Sequence, residues 1–270
     1  MPPQIQASGA ETAPAQPNQP NWPWALRGLW ALTWKSQVSW RRLPIIAAIV
    51  AALPALTYAT LRDGQTEAYF HWVVDFYLFL LLPLYCLSIC GALIRDELQG
   101  NTLGFLTTRP LSRARMFLLK YCCHTCWLQL LAFMIGVLLL VAGWARGIEK
   151  IAAFAPVLLG LQVLAVFAYG ALSAFLGLVN QRYMVLGILY GLIVELGIGQ
   201  IPTNINNLSL ARHGRTILAN HEPLKQLHDW SSENTLWSVG LMVLAALVFL
   251  AAGALLFTFR EYHASEEMQK

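Results

Sequence analysis

The sequence predicts an all-α membrane protein: six transmembrane helices preceded by an amphipathic interfacial helix. Three observations lead there. The chain is 57% hydrophobic and only 12% charged, with a mean hydropathy of +0.53. A soluble domain carries about 25% charge, so this one has too little polar surface to cover itself. The hydrophobic residues fall in long runs, as transmembrane helices require. The basic residues gather in segments that would share one side of a membrane.

The elements follow in order. Residues 1–23 are rich in Pro, Gln, Ala and Asn, with Glu11 their sole charge. They cannot bury enough apolar surface to fold and are expected to form a disordered tail. They lack a basic region followed by an apolar core and a cleavage site, so they do not read as a signal peptide. Residues 24–42 place Leu26, Leu29, Leu32, Ser36 and Trp40 on one helical face, with Arg27, Lys35 and Arg42 opposite. Trp22, Trp24, Trp30, Trp34 and Trp40 add the ring that favours headgroup depth, and an interfacial helix is predicted.

The six-span domain, 43–260, then comprises runs at about 43–61, 70–94, 117–142, 151–179, 183–199 and 236–259. Pro44 suits a first helical turn, and Pro54 is expected to kink the first run. A coupling loop at 95–116 and an outer loop at 200–235 separate the runs, and a charged tail occupies 261–270. Cys86, Cys90, Cys122, Cys123 and Cys126 all lie inside or beside apolar runs, and they read as small buried hydrophobes rather than a disulfide framework.

Orientation follows from Lys and Arg. With the amino terminus inside, twelve of the eighteen basic residues fall in inner segments and six in outer loops. Both termini and the central loop are therefore expected in the cytoplasm.

The central stretch 95–120 carries Arg95, Arg109, Arg113, Arg115 and Lys120, punctuated by Leu98, Leu103, Phe105, Leu106 and Leu111. Charge enforces topology, but it does not account for the apolar anchors, which suit burial in a partner. Glu97, Thr102-Leu103-Gly104-Phe105-Leu106 and Arg109-Pro110-Leu111-Ser112-Arg113 together resemble the first cytoplasmic loop of type-2 ATP-binding-cassette (ABC) transporter permeases. Asn101 stands where a glycine is usual, with Gly100 one position earlier.

The resemblance extends over most of the chain. It implies a coupling helix between the second and third spans, seated in a cleft of a separate ATPase subunit. Leu103, Phe105 and Leu106 would be buried there, Arg109 or Arg113 would meet an acidic rim, and Glu97 would pair locally or cap the helix; Thr102 and Pro110 belong to the same motif. It also implies two ATPase copies and a second permease subunit, in a homodimer or a heterodimer, within a bacterial-type inner membrane.

No phosphate-cradling G-x-x-x-x-G-K-[ST] occurs, so ATP and Mg are expected on the partner and no cofactor on this chain. No nucleic-acid partner is indicated. H-E-x-x-H is absent, and no Gly-x-Ser is paired with a later-span histidine, which argues against an intramembrane protease and leaves no catalytic residue to name.

Ionisable residues within apolar runs are costly, about 2.5–3.5 kcal/mol at a helix centre. Asp75 and Glu195 are therefore candidates for a translocation path, with structural pairing as the alternative. His124 reads as a packing residue. Cys123-x-x-Cys126 beside His124 superficially suggests a metal site, but adjacent Cys122, the helical context and the lack of a second ligand pair argue against it; His213, His221, Glu222, His228 and Asp229 match no ligand motif, and no metal site is expected. The expected function is the permease subunit of an ABC transporter, an exporter whose apolar spans fit lipids, peptides, drugs or polysaccharide precursors. The alternative is a non-transporting assembly or regulatory subunit that docks an ATPase.

Overall fold

A computed structural model describes residues 27–28, 30–31, 34–35, 43–61, 64–95, 112–197, 204–221, 224–226 and 234–260. Among them there is no strand. The helices are α1 (Leu43–Thr60), α2 (Thr66–Cys90), α3 (Arg113–Ala145), α4 (Ile151–Val179), α5 (183–197), α6 (Leu210–Ala219) and α7 (Thr235–Phe259). Four of these, α2, α3, α4 and α7, are long and apolar enough to cross a membrane. The apolar parts of the other two candidates are shorter, Ile46–Thr60 in α1 and Tyr183–Glu195 in α5.

Two helices change character partway. In α2 the stretch Trp72–Leu81 is π-helical, one residue wider per turn, before α-helix resumes at Leu82. Pro83 lies in the first turn of the resumed helix. It has no N–H to continue the ladder, and its ring crowds the carbonyl four residues back, so the π register cannot run on through it. In α5 the α-helix Tyr183–Tyr190 passes into a π stretch between two glycines, Gly191–Gly197. By contrast, α1 continues as α-helix straight through Pro54.

The bundle alternates in direction, and its contacts define two ends. Arg95, just after α2, meets Gly177 at the end of α4, and Arg260, just after α7, meets Leu178 and Val179. This loop end also holds the start of α3. At the far end Arg146, after α3, donates to the carbonyl of Tyr58 in α1 and lies 4.0 Å from its ring centroid. Asn220, after α6, donates to Thr235 at the start of α7.

The core centres on α4, which packs on α2, α3 and α7, while α1 lies against α3. Lipid is as apolar as leucine, so side-chain packing and interhelical hydrogen bonds must hold such a bundle. Tyrosine hydroxyls donate across helices to main-chain carbonyls: Tyr69 to Leu139 O at 2.9 Å, Tyr77 to Ala132 O at 3.0 Å and Tyr121 to Phe167 O at 2.8 Å. Close backbone approach does the rest. A Cβ on Gly177 would run into the carbonyl oxygen of Gly91, so α4 and the end of α2 touch main chain to main chain.

Ahead of α1, residues 27, 28, 30, 31, 34 and 35 are helical. Trp30 packs on Leu119 and Cys123 of α3, and Trp34 meets Trp127 edge-on with centroids 5.0 Å apart. A cavity of about 200 Å³ opens between α1, α2 and α3, with Ile46, Val50, Tyr77, Tyr85, Trp127 and Leu131 among its walls.

Candidate functional site

The central stretch is described only at its two ends. Glu97, Thr102, Leu103, Phe105, Leu106, Arg109 and Pro110 lie outside the described residues, as do the tails 1–23 and 261–270. Arg113 is the first residue of α3. It is exposed, and its Nη1 donates to Arg260 O at 3.4 Å. Ser112 caps α3, its hydroxyl accepting from Arg115 N.

Two other basic residues of the stretch turn inward. Arg95 Nε donates to Gly177 O at 2.9 Å. Lys120, only 5% exposed, donates through Nζ to Leu93 O at 3.3 Å. From α7, Arg260 Nη1 donates to Leu178 O at 2.7 Å and to Val179 O at 3.2 Å. Gly177, Leu178 and Val179 are the last three residues of α4. The final carbonyls of a helix lack intrahelical donors and carry the negative end of its dipole, so cations are the natural caps. Arg95 and Arg260 thus cap α4 from two different helices, and Lys120 ties α3 to the end of α2. Their basic character within a polar stretch was visible in the sequence; the carbonyls they would meet were not.

At the far end, the two carboxylates singled out in the apolar runs both sit in π stretches, Asp75 in α2 and Glu195 in α5. Both hold the same element, α6. Glu195 is 8% exposed and accepts four hydrogen bonds. Oε1 takes Tyr169 Oη at 3.1 Å and Leu210 N at 3.2 Å, while Oε2 takes Ser209 Oγ at 2.5 Å and Ala211 N at 3.0 Å. Leu210 and Ala211 open α6 and Ser209 is its N-cap, the Ser209 hydroxyl accepting from Arg212 N at 3.1 Å. A carboxylate facing two free N–H groups at the positive end of a helix is a favourable arrangement, and it spares those donors burial without a partner.

Asp75 is more open. Its Oδ2 accepts from His71 Nδ1 at 3.0 Å, one turn back in α2, and its Oδ1 lies 3.4 Å from Arg215 Nη2 of α6. The Arg215 guanidinium stands over the Phe79 ring, 5.3 Å from its centroid. Gly214 beside it lies so close to Phe79 that a Cβ would come within 2.6 Å of the ring.

The rest of α6 is wedged into the bundle, with all of its residues but Arg212 and Arg215 buried. His213 Nε2 donates to Asn207 O at 3.0 Å, which leaves Nδ1 to accept from Ser238 Oγ of α7 at 3.4 Å. His124 Nδ1 donates to Lys120 O at 2.9 Å, within its own helix. All five cysteines are free thiols. Among the described residues, no three His, Cys, Asp or Glu side chains stand close enough to hold a metal ion.

A bundle with four membrane-length apolar helices and charged side chains turned onto helix ends defines a multi-pass helical membrane protein. A family model described as ABC-2 family transporter protein matches residues 39–197, well over half of the chain. The chain belongs to that family, and it is a membrane permease component of an ABC transporter. No curated protein and no solved structure matches it.

Proposed function

We propose that the chain is the permease subunit of an ABC exporter. Its six helices cross the membrane with both termini in the cytoplasm, and the stretch between α2 and α3 carries a coupling helix that docks a separate ATPase. The observation that carries this reading is the family match over 39–197. Alternation of the six helices between the loop end and the far end supports six crossings, even though α1 and α5 are short. Tilted or locally thinned bilayer accommodates such helices at modest cost. The inward-turned Arg95 and Lys120 support a mechanical role for the stretch, since they fasten both of its flanks to the backbone of the bundle.

In this reading two permease chains, alike or different, line the path, and two ATPase copies drive them with ATP and Mg. Asp75 and Glu195 act on the path through α6, and apolar or amphipathic molecules are the cargo. The test replaces Arg109 and Arg113 by Glu and Leu103 by Asp in the full chain, co-expressed with its ABC ATPase. Loss of co-purification with membrane insertion intact is expected. Assembly and ATP hydrolysis at wild-type levels would refute docking through this stretch.

A further inference from the structure

The attachments of α6 are unequal. Toward α5 it is held by Glu195, buried, with four hydrogen bonds. Toward α7 it is held by His213 on Ser238, by Asn220 on Thr235 and by extensive packing. Toward α2 it meets Phe79, against which Gly214 packs and over which the Arg215 guanidinium stands, and the ion pair across that seam is Asp75–Arg215, at 3.4 Å with the Asp75 side chain 42% exposed. The α2 wall of the seam is a π stretch, a form found frequently at functional sites, as is the part of α5 that carries Glu195.

We propose that Asp75–Arg215 is a latch across a seam between α2 and α6 that opens, with α6 held on its other sides by α4, α5 and α7. The proposal rests on the permease reading only for what drives the opening, because α2 leads directly into the central stretch. The chemistry of the latch suits repeated breaking. When the seam opens Asp75 keeps His71, so no carboxylate is left alone. Arg215 has an Nε that is buried without a hydrogen-bond partner among the described residues, so Asp75 is its polar tie across the seam. The Glu195 clamp, buried and accepting four hydrogen bonds, serves as the fixed side. The two membrane carboxylates therefore divide the work: Glu195 anchors α6 and Asp75 releases it.

The test measures the seam without disturbing the latch. Cys122 and Cys126, the exposed thiols, are replaced by Ser. Spin labels go on Glu67→Cys, at the exposed start of α2, and His221→Cys, at the exposed residue just past α6. The full chain in lipid nanodiscs is expected to show one short distance. Arg215→Ala is expected to raise the population of a longer distance about two- to fivefold, and the exchange Asp75→Arg with Arg215→Asp to restore the short one. An unchanged distribution in Arg215→Ala, or no restoration by the exchange, overturns the latch.

A second arm adds the ATPase partner with ATP and vanadate. Growth of the long distance there supports coupling of the latch to the ATPase. An unresponsive seam on a docked, hydrolysing ATPase overturns that coupling and leaves the permease reading standing. Failure of any ATPase to dock overturns the permease reading and the drive, while the nanodisc result on the latch still holds.

Discussion

Removing the Glu195 side chain, as in Glu195→Ala, strips four donors of their acceptor at once: Tyr169 Oη, Ser209 Oγ, Leu210 N and Ala211 N. The two amides matter most. As the first residues of α6 they have no intrahelical carbonyl, so their protection from solvent rests on Glu195. A buried polar group left unsatisfied costs about 1–3 kcal/mol, and part is recovered when local opening lets water reach the amides. Loss of the helix-end charge interaction adds about 0.3–1 kcal/mol. An opening free energy lowered by about 1–4 kcal/mol is expected at this helix start, which makes amide exchange roughly 5- to 1000-fold faster. The structure supplies its own control. Arg212 N is held by Ser209 Oγ and should accelerate less than Leu210 and Ala211. Hydrogen exchange on the full chain in nanodiscs reads all three. Exchange at Leu210 and Ala211 unchanged within about threefold would show that Glu195 is not their cap.

Two further outcomes follow from the packing. Gly177→Ala sets a methyl group against the Gly91 carbonyl and should destabilise the bundle by about 1–3 kcal/mol, whereas Gly160→Ala, with open space around it, should be neutral or slightly stabilising; thermal unfolding of the two side by side in nanodiscs separates them. Tyr77→Phe strands the buried Gln162 side chain, to which the hydroxyl lies at 2.9 Å, while the double change with Gln162→Leu removes both partners; the coupling in a double-mutant cycle should be about 0.5–1.5 kcal/mol, and strict additivity would mean that this bond does not tie α2 to α4.

Apolar periodicity and length located six of the seven helices named above, because both are local properties of the chain, but not α6, which lies in the stretch read as an outer loop, 200–235. The fourth apolar run and α4 share both boundaries, 151 and 179, where Lys150 and Asn180 leave helical geometry. The second run was expected from residue 70, and the helix starts at Thr66, since a first turn outside the apolar core tolerates Thr and Glu. The π stretches left no trace in the hydrophobic pattern, as a shift of one residue per turn is invisible over ten residues. Asp75 and Glu195 were conspicuous as charges among apolar residues. Their partners were not, because Arg215 is 140 positions from Asp75, and Glu195 is met by backbone amides that no residue type announces. The central motif was legible through resemblance alone, and its middle lies outside the described residues.

The loop end and the far end solve the same problem with opposite charges. A helix buried at its C-terminus needs donors, and Arg95 and Arg260 bring them to α4. A helix buried at its N-terminus needs acceptors, and Glu195 brings them to α6. In each case the charged residue belongs to a different helix from the one it caps, so the cap is also a tie between helices. A positive count in the central stretch is therefore an unreliable measure of what is offered to a partner. Arg95 and Lys120 are spent on backbone carbonyls, whereas Arg113 and Arg115, at the head of α3, are exposed. In the proposed reading, a pull on the stretch from a docked ATPase would act through Arg95 on the end of α4 and through α2 on Asp75. The same motion would then strain a rigid cap at one end and a half-exposed ion pair at the other. The ion pair is the weaker of the two, since exposed pairs contribute about 0–1 kcal/mol, and it is where the bundle should yield first.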